Sequence, residues 1–160
     1  MINSRTNLHA TGVVLGRQGF LILGPSGCGK SQLARLLLHD AARNGMFCAL
    51  ISDDQVWIEA QGDTLMAHRA KTIKDMMEVR FSGIVHIPSI GSAVIDAVIM
   101  PVALCDVPER LPQSDETMDF FSTITLPVLR ICVAHNPDIT LVQNLLTNSL
   151  LYQKNGQQNP

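Results

Sequence analysis

The sequence predicts an α/β fold: a phosphate-loop (P-loop) domain with a mixed β-sheet and a helix that begins at the loop. Three observations carry that expectation. A short apolar strand signal, Phe20-Leu21-Ile22-Leu23, runs directly into Gly24-Pro25-Ser26-Gly27-Cys28-Gly29-Lys30-Ser31. That octet fits G-x-x-x-x-G-K-[ST], whose backbone N–H groups wrap a chain of phosphates. After it, Leu33, Ala34, Leu36, Leu37, Leu38 and Ala41 form a broad apolar stripe along a helix expected from Ser31 to about Asn44, suited to packing on a sheet.

Within the loop, Gly24 and Gly29 allow backbone angles and approaches that a Cβ forbids. The helix aims its positive dipole end and unpaired N–H groups at an anion. Lys30 is expected to reach the β- and γ-phosphates of a nucleotide, and the Ser31 hydroxyl to ligate Mg²⁺. All eight residues (Gly24, Pro25, Ser26, Gly27, Cys28, Gly29, Lys30 and Ser31) are therefore candidate nucleotide contacts, with ATP and Mg²⁺ as the implied ligands. Cys28 sits near a helix N-terminus, where a thiol can ionise more readily, but it reads as a tolerated loop residue.

Length and composition bound what surrounds this loop. A chain of 160 residues suits one domain, expected over residues 1–152, with residues 153–160 as a polar disordered tail. Apolar residues make up 46% and charged residues 16%, with a net charge of −2. No global basic field is available to recruit nucleic acid or anionic membrane. The sparse surface charge leaves room for self-association. Cys28, Cys48, Cys105 and Cys132 are widely spaced and form no paired framework, as expected of reduced thiols in a cytoplasmic protein. The polar N-terminus is no signal peptide. The most apolar later stretch, Ala93 to Leu104, is interrupted by Asp96 and Pro101 and is too short to cross a bilayer.

The remaining elements follow in order. Leu8 to Gly16 reads as a strand opened by His9 and turned at Arg17-Gln18-Gly19 into the strand ahead of the loop. After the helix, Gly45 is a natural C-cap, and Phe47-Cys48-Ala49-Leu50-Ile51 is a short buried strand ending in Ser52-Asp53-Asp54. An acidic pair at that exit is where a Mg²⁺-organising carboxylate belongs. Adjacent carboxylates on an extended backbone diverge, so one can face the metal and the other an acceptor.

Val56 to Glu59 and Thr64 to Ala67 read as strands, and His68 to Lys74 as a mobile or partly helical connection. If Met76 to Arg80 is extended, Glu78 and Arg80 share one face and Met77 and Val79 the other. Val94 to Val102 is one further strand. The segment from Cys105 to Met118 is a proline-marked surface loop. Phe120 to Val133 is β-rich, with Pro127 marking an edge or a bend. A last helix is expected from about Ile139 to Tyr152.

Taken together, these pieces resemble the catalytic domain of HPr kinase/phosphorylase, a P-loop fold related to phosphoenolpyruvate carboxykinase, over about Leu8 to Val133. His9 precedes the loop at the family's spacing, Asp53-Asp54 matches its paired aspartates, and Met77-Glu78-Val79-Arg80-Phe81-Ser82-Gly83-Ile84 aligns with its L-E-I-R-G-L-G-I signature. The resemblance implies catalytic roles for His9, Lys30, Asp54 (the proton acceptor) and Arg110, which looks like the family's later loop arginine. It implies Mg²⁺ contacts for Ser31 and Glu78, beside the Asp53 expected from its place in the chain. The chain begins near the first catalytic-domain strand, so the N-terminal domain of the long members is expected to be absent, as in truncated proteobacterial forms. Pro25 and Gln32 replace acidic residues, Phe81 replaces a glycine, and the segment linked to dephosphorylation survives as Pro127-Val128-Leu129-Arg130.

What the resemblance implies is ATP- and Mg²⁺-dependent phosphorylation of a serine on an HPr-type phosphocarrier protein, with phosphate-dependent dephosphorylation as the reverse activity. A cytoplasmic homo-oligomer, a hexamer by family habit, is the expected assembly. The alternatives are a small-molecule P-loop kinase and a non-catalytic nucleotide-sensing regulator. An ABC ATPase would need an L-S-G-G-Q-like signature, which the chain lacks.

Overall fold

Val13 and Val14 are adjacent in sequence, and both are buried, on opposite faces of one sheet. Successive strand side chains alternate between faces, so a strand buried on both sides reads as an unbroken apolar run. The computed structural model describes residues 5–71, 74–106 and 110–156. Its first half holds β1 (Thr6–Leu8), β2 (Thr11–Leu15), β3 (Gln18–Ile22), α1 (Lys30–Arg43), β4 (Cys48–Ser52), β5 (Val56–Gln61) and β6 (Thr64–Arg69). There follow β7 (Met76–Val79), β8 (Gly83–His86), β9 (Ser92–Ile95), β10 (Ala97–Val102), β11 (Thr117–Phe120), β12 (Ile124–Cys132) and α2 (Ile139–Gly156).

The central sheet runs β11-β12-β10-β3-β2-β4 and is mixed, as expected: β10 lies parallel to both β3 and β12, and the other pairings are antiparallel. On one face, Leu15, Phe20, Ile22, Ile99 and Leu129 pack under α1 and α2 through Leu33, Leu37, Val142 and Leu146. On the other, Val14, Leu21, Ile51 and Val98 meet Ile58, Leu65, Ala67 and Ile95 of a second, antiparallel sheet, β1-β5-β6-β9. The layers are therefore helices, six-stranded sheet, four-stranded sheet. A β7–β8 hairpin stands apart from both sheets.

Two strands expected to be continuous are divided between the sheets. The stretch from Leu8 to Gly16 breaks at His9-Ala10, where the chain leaves β1, paired with β5, and enters β2, paired with β3 and β4. His9 therefore lies in a bend rather than opening a strand. Val94 to Val102 breaks at Asp96, whose carboxylate accepts from Gly19 N at 2.8 Å while its own N–H donates to Gly19 O at 2.8 Å. At that crossing a Cβ on Gly19 would lie 2.0 Å from Val94 O, so only glycine fits.

Other boundaries move for similar reasons. His68 and Arg69 are strand rather than connection, because β6 keeps pairing through Trp57↔His68 and Val56↔Arg69. Residues 72–73 lie outside the described residues. Pro127 sits on an interior strand, not an edge: β12 lies between β11 and β10, but its parallel pairing with β10 starts only at Val128, so the missing N–H breaks no bond in that ladder. Helix α2 continues past Tyr152 to Gly156, into the stretch expected as tail, and residues 157–160 lie outside the described residues.

Candidate active site

The loop leaves the end of β3 and returns as α1. Gly24 has φ +152°, and a Cβ there would stand 2.7 Å from Cys28 Sγ; Gly29, with φ +97°, is the residue before the first helical turn. Helix α1 has no side-chain N-cap and no acidic residue in its first turn. Its first amides are left to whatever anion the loop holds.

Lys30 is buried, and its ammonium donates to Gly24 O at 3.0 Å and Pro25 O at 3.1 Å. It also lies 3.3 Å from His9 Nε2. An ammonium has hydrogens and no lone pair, so Nε2 accepts, and the network places the ring proton on Nδ1. Nδ1 in turn lies 3.0 Å from Asp54 Oδ1 and 3.1 Å from the Asp54 carbonyl oxygen. One imidazole joins the loop lysine to the carboxylate at the mouth.

Asp53 and Asp54 diverge as expected, but through a turn rather than an extended strand. Asp54 adopts φ +68° and Gln55 N donates to Asp53 O at 2.8 Å, which closes the turn. The left-handed conformation is uncommon outside glycine, and Asp tolerates it better than most. Asp53 is buried, and its Oδ1 accepts from both Thr11 Oγ1 and Ser31 Oγ at 2.8 Å. The Asp54 side chain is 70% exposed.

One cavity of about 460 Å³ is lined by Gly27, Gly29, Lys30, Ser31, Asp53, Asp54 and Glu78, all singled out from the sequence, and also by Gln32, Arg35, Val79 and Arg80. Glu78 reaches it because β7 packs beside α1 with Met77 buried in the helix-side core and Glu78 exposed. Val79 joins Glu78 and Arg80 at the wall rather than turning wholly away.

No group of three or more His, Cys, Asp and Glu side chains converges as a metal cage among the described residues. Mg²⁺ does not need one: it prefers oxygen ligands, takes one or two carboxylates, and completes its shell with phosphate oxygens and water. The Ser31 hydroxyl bonded to Asp53, with Glu78 in the same cavity wall, is an all-oxygen set that fits that ion.

Arg110 is exposed and is not among the residues lining the cavity; residues 107–109 before it lie outside the described residues. Sequence reasoning missed Thr11 and Arg35. A threonine in an apolar strand reads as an ordinary β-former, and only the Asp53 contact reveals its part. Arg35 was legible only as the polar side of a helix.

Comparison with known proteins gives three findings. The family model described as the HPr Serine kinase C-terminal domain matches residues 1–159. No curated protein matches the sequence. Among solved structures, that of the Hpr(Ser) kinase/phosphatase from Coxiella burnetii superposes with a TM-score of 0.70 at 20% identity, covering 93% of this chain and 99% of that one. At that identity the likeness is one of fold.

Proposed function

The chain belongs to the HPr serine kinase C-terminal domain family, and from that premise we propose that it transfers the γ-phosphoryl group of ATP to a serine of an HPr-type phosphocarrier protein. The observation that carries this reading is the meeting of the phosphate loop, the Ser31–Asp53 pair, Asp54 and Glu78 in one cavity. The loop amides of Gly27 to Ser31 hold the phosphates, and the Lys30 ammonium exchanges a loop carbonyl for a phosphate oxygen to absorb charge as the γ-phosphoryl group departs. Ser31, Asp53 and Glu78 would hold Mg²⁺, which neutralises phosphate charge when bound.

Asp54 accepts the serine proton as the new O–P bond forms and the bond from the γ-phosphorus to the bridging oxygen of ADP breaks. Its exposure at the cavity mouth supports that role, because a protein-borne serine must approach from solvent. His9 orients Asp54 and, through Lys30, couples it to the loop. Arg110 is assigned to an oxygen of the transferring group by family resemblance. In the reverse direction, inorganic phosphate attacks the phosphoserine phosphorus, the serine oxygen leaves with a proton from Asp54, and pyrophosphate is the product. The chain acts as one catalytic domain in a cytoplasmic homo-oligomer, hexameric by the same resemblance.

The test is mass spectrometry of HPr-type carrier proteins after incubation with the chain, ATP and Mg²⁺. One phosphoserine per carrier is expected, absent with Lys30→Ala. Transfer to a metabolite instead would make the chain a small-molecule kinase. ATP binding with no transfer to any acceptor would make it a nucleotide sensor.

A further inference from the structure

The β7–β8 hairpin belongs to neither larger sheet, yet it carries Glu78, Val79 and Arg80 to the cavity wall. Its own ladder joins the two strands but does not fix them against the rest of the molecule. Two features among the described residues do. Met77 is buried in the helix-side core, a contact that is apolar and therefore non-directional. The directional one is at the neck, where Asp75 immediately precedes β7 and Ser89 lies just beyond β8.

Ser89 Oγ donates to Asp75 Oδ1 and accepts from Asp75 N at 3.2 Å and from Arg69 Nη1 at 3.0 Å. A hydroxyl has one hydrogen and two lone pairs, so its whole capacity is used here. Asp75 Oδ1 also accepts from Ser89 N at 3.0 Å, and Ile87 N donates to Asp75 O at 3.1 Å. Asp75 makes these bonds at φ +55°, a left-handed conformation that Asp tolerates better than most residues. The bonds from Ser89 foremost hold its carboxyl below the ordinary carboxylate range.

The neck is tied in turn to the strand that delivers Asp53 and Asp54. Leu50 N of β4 donates to Pro88 O at 2.9 Å, and Ile90 N donates to Leu50 O at 2.8 Å, on either side of Ser89. Arg69 brings β6 to the same point, its N–H donating to Gly91 O at 2.9 Å. Strand residues advance about 3.3 Å each, so Glu78 stands about 10 Å from Asp75. Over that lever a tilt of about 6° at the neck moves Glu78 by about 1 Å, a displacement that can cost on the order of 10²-fold in rate.

We propose that Asp75 and Ser89, with Arg69, are positioning residues: their clasp sets the angle of the β7–β8 hairpin and thereby holds Glu78 on the metal side of the cavity. None of the three is among the residues lining the cavity, so they act through the hairpin. The proposal rests on the kinase reading above, in which Glu78 helps hold Mg²⁺.

Mn²⁺ serves as the probe. It is titrated into the full chain in excess over a non-hydrolysable ATP analogue, with free Mn²⁺ read by electron paramagnetic resonance. Ser89→Ala and Asp75→Ala should each weaken Mn²⁺ binding by about tenfold, the scale for partners that orient a metal ligand. Asp75→Asn keeps an accepting oxygen and should stay within about threefold of wild type. In a Glu78→Gln background, Ser89→Ala should add less than about twofold, because the group it positions is gone. Wild-type affinity in Ser89→Ala, or an equal loss with and without Glu78, overturns the proposal. Amide hydrogen exchange separates that failure from failure of the metal reading. Ser89→Ala should speed exchange across residues 76–86 and leave α1 unchanged; unchanged exchange in the hairpin overturns the clasp whatever the metal does. If Glu78→Gln itself leaves Mn²⁺ affinity unaltered, the metal assignment of Glu78 is wrong, and the exchange result decides whether the clasp holds the hairpin.

Discussion

His9 Nδ1 and Asp54 Oδ1 lie 3.0 Å apart, across the bend where the chain passes from the four-stranded to the six-stranded sheet. The opposite ring nitrogen faces Lys30 Nζ at 3.3 Å. One imidazole thus contacts both the Asp54 carboxylate and the loop lysine. The lysine uses its remaining hydrogens on Gly24 O and Pro25 O, so the ring also helps set where that ammonium sits.

His9→Ala is expected to lower kcat for phosphoryl transfer on the order of 10²-fold, the scale of a misplaced reacting group. Nucleotide affinity should change far less, because the loop amides remain. Steady-state kinetics with separately varied ATP and acceptor would show whether kcat or KM moves.

Thr11→Val removes one of the two hydroxyls that satisfy Asp53 while preserving shape. Asp53 and Thr11 are both buried. Leaving a buried carboxylate short of a donor should destabilise the fold by about 1–3 kcal/mol, read as a lower urea midpoint with unchanged m-value.

How far these features were legible in the sequence depends on whether their cause is local. The phosphate loop and α1 were, since glycine spacing and a helical apolar stripe are local signals. The diverging pair Asp53-Asp54 was also foreseen, although Asp54 turns by a left-handed φ of +68° rather than by strand alternation. The division of two strand signals at His9 and at Asp96 was not legible, because which sheet a strand joins depends on partners far along the chain. The same holds for Thr11, whose significance comes from Asp53, 42 positions away.

Glu59 provides a pH test remote from the cavity. Its carboxylate takes a hydrogen bond from Arg5 Nε at 2.9 Å and another from Gln61 Nε2 at 2.9 Å, with His68 Nε2 at 2.8 Å. The Arg5 bond foremost, then the Gln61 bond, hold its pKa at about 2, against an ordinary 4.5. A depressed folded-state pKa means stability that is complete above the unfolded value and lost as pH falls through the window from about 4.5 to about 2. Urea titrations across that window should show stability declining with acid in wild type, and a shallower decline in Glu59→Gln.

Phe81, at the tip of the β7–β8 hairpin, has φ +64° and is fully exposed. The ring packs on little, while the backbone conformation suits glycine. Phe81→Gly relieves about 1–2 kcal/mol of left-handed strain and gives back about 0.4–1 kcal/mol through a freer unfolded chain, so stability should rise by up to about 1 kcal/mol, seen as a higher thermal midpoint. An unchanged or lower midpoint would mean that the exposed ring contributes contacts of its own.

The most direct test of the central claim is single-turnover transfer from ATP to an HPr-type carrier, comparing wild type with Asp54→Asn. The account predicts that the variant binds ATP within about twofold of wild type and transfers at least about 10²-fold more slowly. Transfer by Asp54→Asn at the wild-type rate would contradict the assignment of this carboxylate as the proton acceptor.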